Sequence, residues 1–135
     1  MSGKQIVRSF LELVWNERKP DEAIARFRDV DCMSRGLKSN PMDTSEYRGF
    51  IMDMQKRMTS TKIVIEELVE ESDKVAFRAT IKAEVDGRPV SLTGFGIVTI
   101  AAGKIRDSSN AWDGLALLGQ LGGKPTSIAD VLRRP

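Results

Sequence analysis

The chain contains no histidine among its 135 residues. That absence removes the commonest general base near neutral pH, the usual Ser-His and Cys-His nucleophile pairs, and the commonest metal ligand. Chemistry carried by the chain is left to carboxylates, amides, Arg, Lys, Tyr and water. Cys32 is the only cysteine, so there is no intrachain disulfide, and a zinc site has too few ligands. No carboxylates fall at the spacing of a calcium loop. No apolar run approaches the roughly 20 residues that a membrane helix requires. No stretch reads as a secretory leader, and with the lone cysteine this leads us to expect a reducing, cytoplasmic setting. An excess of either charge is missing as well: 21 basic against 19 acidic residues leave a net charge of +2. The basic residues are dispersed among acids, so they form no stripe for a nucleic acid. No metal or organic cofactor is expected, and neither nucleic acid nor membrane is an expected partner.

What is present is the composition of an ordinary folded domain, 41% hydrophobic and 30% charged, long enough to bury a core without staples. Over residues 3–15, Ile6, Val7, Phe10, Leu11, Leu13 and Val14 recur at helical spacing, and Pro20 suits the first position of a second, shorter helix whose Ala23, Ile24 and Phe27 face inward. Residues 28–41 keep no period, and within them Val30, Cys32 and Ser34 suggest at most a brief edge segment. A third helix is marked by Asp43 and Glu46 in capping positions and by the stripe Tyr47, Phe50, Ile51, Met54 and Met58. From residue 62 the period changes to alternation. Strands are predicted over 62–69, 74–85, 88–100 and 104–111, with Glu71-Ser72-Asp73, Asp86-Gly87 and Ala102-Gly103 as turns. Helices first and a strand meander afterwards imply an α+β fold.

The last of these strands is the chemically suggestive one. Alternation puts Ser108, Asn110 and Trp112 on one face and Asp107, Ser109 and Ala111 on the other. Asp113 follows as a helix cap for Leu115, Leu117, Leu118 and Leu121. Residues 122–125 read as a linker, and 127–134 as one more short helix in a tail of residues 122–135, expected to dock on this chain or on a neighbour.

Taken in order, several stretches over residues 4–121 resemble the SnoaL-like polyketide cyclases of the nuclear transport factor 2-like superfamily. They are Leu13-Val14-Trp15-Asn16-Glu17, IVIEELVEESDK over 63–74, Gly87-Arg88-Pro89-Val90, Thr93-Gly94, Gly103-Lys104-Ile105, and Trp112-Asp113 with the residues that follow. The resemblance implies a domain of residues 1–121 in which three helices wrap a strongly curved antiparallel sheet as a cone, with an apolar pocket at the wide end. It also implies a homodimer paired through the sheet's outer face. Family cyclases carry a proton-transferring acid three places before the Asp of the Trp-Asp pair, which here is Asn110, and often a histidine two places earlier, here Ser108. Another family histidine lies in the loop after the second helix, where this chain reads Asp31-Cys32-Met33-Ser34.

On this resemblance the reacting set is Asn110 and Ser108 as hydrogen-bond partners of a carbonyl or oxyanion, with Asp31 as the one carboxylate placed to act as a base. The ligand-contacting set is Trp15, Phe27, Tyr47, Phe50, Met54, Arg78 and Trp112, with Arg78 offered to a carboxylate or enolate. Each has a plainer reading, the aromatics and methionines as core and Arg78 as part of a solvated or interface face. Cys32, without a histidine, reads as a small buried hydrophobe. Two functions stay open: a cofactor-independent cyclase or isomerase acting on a small apolar carbonyl compound, and a non-catalytic module that binds a small apolar molecule or dimerises.

Overall fold

Ser2 begins the first helix: its hydroxyl accepts from the Gln5 backbone while the Gln5 side chain returns to the Ser2 N–H, a complete capping box that launches α1 (Gly3–Trp15). The computed structural model describes residues 1–124 and 127–133. Pro20 opens α2 (Pro20–Phe27), and Asp43 with Glu46 forms a second capping box at the head of α3 (Thr44–Arg57). The strands are β1 (Arg28–Arg35), β2 (Met58–Glu71), β3 (Lys74–Val85), β4 (Arg88–Ala101) and β5 (Lys104–Trp112), followed by α4 (Gly114–Gln120) and α5 (Ile128–Leu132).

All five strands form one sheet in the order β1-β5-β4-β3-β2. β2 to β5 are antiparallel neighbours joined by two-residue turns, with Ser72, Asp86 and Ala102 at positive φ as such tight turns require. β1 is longer than the edge segment expected from sequence and pairs parallel to β5, so the sheet is antiparallel apart from this one pair. Its register jumps between Arg28 and Met33, and that irregularity is why no period survives there. Further shifts in the β2–β3 and β4–β5 pairings bend the strands. Met58 belongs to β2 and not to α3, since the chain passes from helix to strand with no intervening loop.

The helices cover one face of the sheet. Every second residue of β3, from Val75 through Phe77, Ala79, Ile81 and Ala83 to Val85, is buried in the core, with α1 packed on this strand. Polar side chains tie the end of α1 in place: Gln55 Nε2 donates to the Val14 carbonyl at 2.8 Å, and Thr61 Oγ1 to the Trp15 carbonyl at 2.7 Å. These bonds satisfy carbonyls that a helix end leaves open. α5 has no buried residue, and Ile128 and Leu132 are exposed. Pro125 of the expected linker and Arg134 of the expected tail helix lie outside the described residues.

Candidate functional site

Between the helices and the concave side of the sheet lies a cavity of about 240 Å³. Its walls come from every layer of the fold: Val7, Phe10, Leu11 and Trp15 of α1, Tyr47, Phe50, Ile51 and Met54 of α3, Phe77 and Ile81 of β3, Leu92 and Val98 of β4, and Leu117 of α4. The space exists partly because β4 has no side chains at Gly94 and Gly96. A Cβ at Gly94 would stand 2.2 Å from the Trp112 ring, and one at Gly96 2.2 Å from the Phe77 ring and 3.1 Å from Asn110 Oδ1. Glycine at these places lets both rings lie against the sheet, 6.3 Å apart between centroids.

Against the apolar wall runs a polar strip on β1 and β5. Asn110 Nδ2 donates to Ser108 Oγ at 2.8 Å. That bond leaves the Asn110 carbonyl and the Ser108 hydroxyl hydrogen for other partners. Ser34 stands opposite Ser108 in the parallel pair. The strip ends in a charge, Arg28, which is 4% exposed and lines the cavity. Its Nε donates to Thr44 Oγ1 at 2.9 Å, Nη1 to Ser34 Oγ at 2.8 Å and Nη2 to the Cys32 carbonyl at 3.0 Å. Its guanidinium carbon lies 4.4 Å from the centroid of the Tyr47 ring. A desolvated cation on an aromatic face gains roughly 2 kcal/mol, and hydrogen bonds from a charged donor about 1.5–3 kcal/mol each. Together these offset the several kcal/mol that burying an ion costs.

No carboxylate comes within 4.0 Å of Arg28 among the described residues. The acids at this edge are engaged elsewhere, Asp107 by Arg35 and Asp29, at 4.0 Å, by Arg106. Burial pushes the Tyr47 phenol above its ordinary range, with the Arg28 charge opposing. Tyr47 is therefore a neutral hydrogen-bond donor and not a base. Burial likewise pushes the Cys32 thiol up, again against the Arg28 charge, which leaves the thiol un-ionised and poorly nucleophilic.

Of the side chains proposed from sequence, Asn110, Ser108, Trp15, Tyr47, Phe50, Met54 and Trp112 all meet around this cavity. Three do not. Asp31 is exposed, thrown outward where the β1 register jumps, with its backbone N–H held by Asp29 Oδ1 at 2.8 Å. It cannot serve the cavity as a base. Arg78 lies on the outer face of β3, where it pairs with Glu66 at 2.6 Å and Glu67 at 3.1 Å. Its neighbours Phe77 and Ala79 take the inward positions. Phe27 is buried in the core at the end of α2, outside the cavity lining, with Arg26 over its ring. Sequence reasoning missed Arg28, Ser34 and Thr44. The one available signal was an arginine directly after the apolar end of α2, and charged residues in such places are ordinarily solvated.

No cluster of His, Cys, Asp and Glu able to hold a metal ion occurs among the described residues, and no helix there is long and apolar enough to cross a membrane. A second depression, of about 350 Å³, is lined by Arg18, Lys19, Pro20, Asp21, Glu22, Met52 and Gln55. Its groups are occupied with one another and with the frame: Asp21 pairs with Arg48, and Arg18 donates to the Met58 and Gln55 carbonyls.

A model of the SnoaL-like polyketide cyclase family matches residues 5–121. No curated protein matches the chain. Among solved structures, AclR of Streptomyces galilaeus, a putative hydroxylase, superposes with a TM-score of 0.76 at 20% identity, covering 92% of this chain and 100% of that one. A putative polyketide cyclase from Bacillus cereus gives 0.78 at 20% identity, covering 87% and 78%. A protein with a ketosteroid isomerase-like fold from Catenulispora acidiphila, solved with trimethylamine, gives 0.77 at 14% identity, covering 91% and 96%. At these identities the likeness is one of fold.

Proposed function

The chain belongs to the SnoaL-like polyketide cyclase family, and from that premise we propose that its cavity binds a small, mostly apolar carbonyl compound without carrying out the family's carboxylate-mediated proton transfer. The observation that carries this reading is the lining itself, which among the described residues has apolar walls, a strip of Ser108, Asn110, Ser34 and Tyr47, one guanidinium, and no carboxylate. An amide at the position of the family acid cannot accept a proton near pH 7, although it can donate to and accept from a carbonyl. The cavity lies below the roughly 300–1,000 Å³ of pockets for drug-sized ligands, which suits an occupant of one or two rings. Trp15, Phe50, Met54 and Trp112 supply its apolar contacts, and Asn110 and Ser108 its orientation.

The test is a paired binding and turnover experiment. A panel of small aromatic ketones and 1,3-diketones is titrated against the protein by calorimetry, and aldol, enol and ester substrates are offered for turnover. Saturable binding with no turnover supports the reading; turnover by the wild-type chain overturns its non-catalytic half. Asn110→Ala and Ser108→Ala are each expected to weaken binding by about tenfold, the worth of roughly one hydrogen bond at 1–1.5 kcal/mol. Unchanged affinity in both would remove the polar strip from the site.

We also infer a homodimer paired through the outer face of the sheet, supported by the apolar side chains exposed there, and a reducing compartment such as the cytoplasm, supported by the single buried thiol of Cys32.

A further inference from the structure

Among the described residues, Arg28 is the only charged side chain lining the cavity. A guanidinium carries five N–H donors. Three of them are taken by Thr44, Ser34 and the Cys32 carbonyl, so one on each Nη has no acceptor among the described residues. The three bonds made and the Tyr47 ring beneath hold the fork in one orientation, so little conformational entropy is lost when something binds it. A buried cation with an anchored fork, spare donors and no counter-ion is a charge set up for a partner that arrives with the ligand. The rest of the lining is mostly apolar.

Resting on the reading of this cavity as a small-molecule pocket, we propose that its ligands are amphipathic anions: a carboxylate, or the enolate of a 1,3-dicarbonyl compound, on a compact apolar body. The oxyanion meets the Arg28 fork, with the Tyr47 hydroxyl, Ser108 and Asn110 as further polar groups of the same cavity. The body fills the space between Trp15, Phe50 and Met54. Selectivity follows from the same arrangement. A neutral carbonyl forgoes the charge–charge attraction that Arg28 offers an anion, and a second negative group would have to lie against apolar side chains.

The experiment compares 4-propylbenzoate with 4-propylbenzamide, two bodies of the same shape that differ in charge. Trp15 and Trp112 are the only tryptophans and both line the cavity, so quenching of their fluorescence and calorimetry report binding independently. The expected result is binding of the benzoate at least about tenfold tighter than the benzamide at neutral pH, since hydrogen bonds between two charged partners are the stronger ones. That preference should disappear as the pH is lowered through the pKa of the probe itself. In Arg28→Gln, benzoate affinity should fall to that of the benzamide while benzamide affinity stays near its wild-type value. If Arg28→Gln does not fold, the two wild-type titrations and their pH dependence decide alone. Equal binding of the two probes, or tighter binding of the amide, overturns this proposal and leaves the pocket reading standing. Binding of neither probe, nor of any ketone in the panel above, overturns both.

Discussion

Tyr47 is the only tyrosine in the chain, which makes its ionisation visible without interference. The ring packs 6.2 Å from Phe10 and carries the Arg28 guanidinium on its face. Burial disfavours the phenolate more than the Arg28 charge favours it, so the folded group ionises above the ordinary value of 10.0. The linkage is that of an acid whose folded pKa is raised. Its contribution to stability is intact below about pH 10, where the phenol is neutral in both states, and is lost as the pH climbs from there through the higher folded value. Tyrosinate absorbance of the native protein should stay flat across the pH range in which the urea-unfolded chain titrates. Native absorbance rising near pH 10 would mean that Tyr47 is solvated, and the cavity wall would need redrawing. Tyr47→Phe should keep the ring contacts and remove this alkaline loss. The same residue shows why one position can be read correctly and its purpose only in part. Sequence places Tyr47 at the head of an amphipathic stripe, but its partner Arg28 comes from a segment with no pattern at all.

At the scale of elements, what was legible followed local rules. The Asp43–Glu46 capping box, the inward row of β3, the tight turns at Asp86-Gly87 and Ala102-Gly103, and the shared face of Ser108, Asn110 and Trp112 depend on neighbours within a few residues. β1 depends on neighbours far away. It forms because β5 offers it an edge, and its irregular register turns Arg28 and Ser34 inward while throwing Asp31 out. No period in the sequence announces such a jump. Arg78 misleads in the opposite way: the resemblance offers it to a ligand, while strand alternation sets it on the face opposite Phe77 and Ala79, where it pairs with Glu67. α3 connects the element scale to the site, since Thr44, its first residue, accepts the Arg28 Nε–H, and Tyr47, Phe50 and Met54 line the cavity. Asp43→Ala removes the side-chain half of the cap and should cost about 0.5–2 kcal/mol of stability, with Asp43→Asn recovering most of it. Urea unfolding monitored by circular dichroism checks this. An unchanged midpoint would show that tertiary contacts alone hold the start of the helix.

The whole molecule presents two unlike faces of one sheet. The concave face is filled by helices and cavity, while the convex face carries rows that cross several strands. Val69, Ala76, Ile97 and Ser109 make one row, and Glu67, Arg78, Phe95 and Ala111 the next. Val69 is 60% exposed, Phe95 58% and Ile97 56%. Isolated apolar residues on a surface need no explanation, but large ones adjoining across neighbouring strands form a patch, and such patches mark interaction surfaces. The Arg78–Glu66–Glu67 ion cluster beside them matches the polar rim that surrounds the apolar centre of an interface. A two-fold axis through this patch would bring each apolar side chain in twice, so one substitution acts twice per dimer. Wild-type protein should therefore sediment at about double the 15.0 kDa of one chain. Ile97→Arg should sediment as a monomer with its thermal transition retained, since Ile97 supports no part of the inner core. A wild-type monomer at micromolar concentration would sink the dimer and leave the cavity untouched, because the lining residues lie on the other face. If Ile97→Arg instead stays dimeric, the chains pair elsewhere, and the exposed row on β4 has a different purpose.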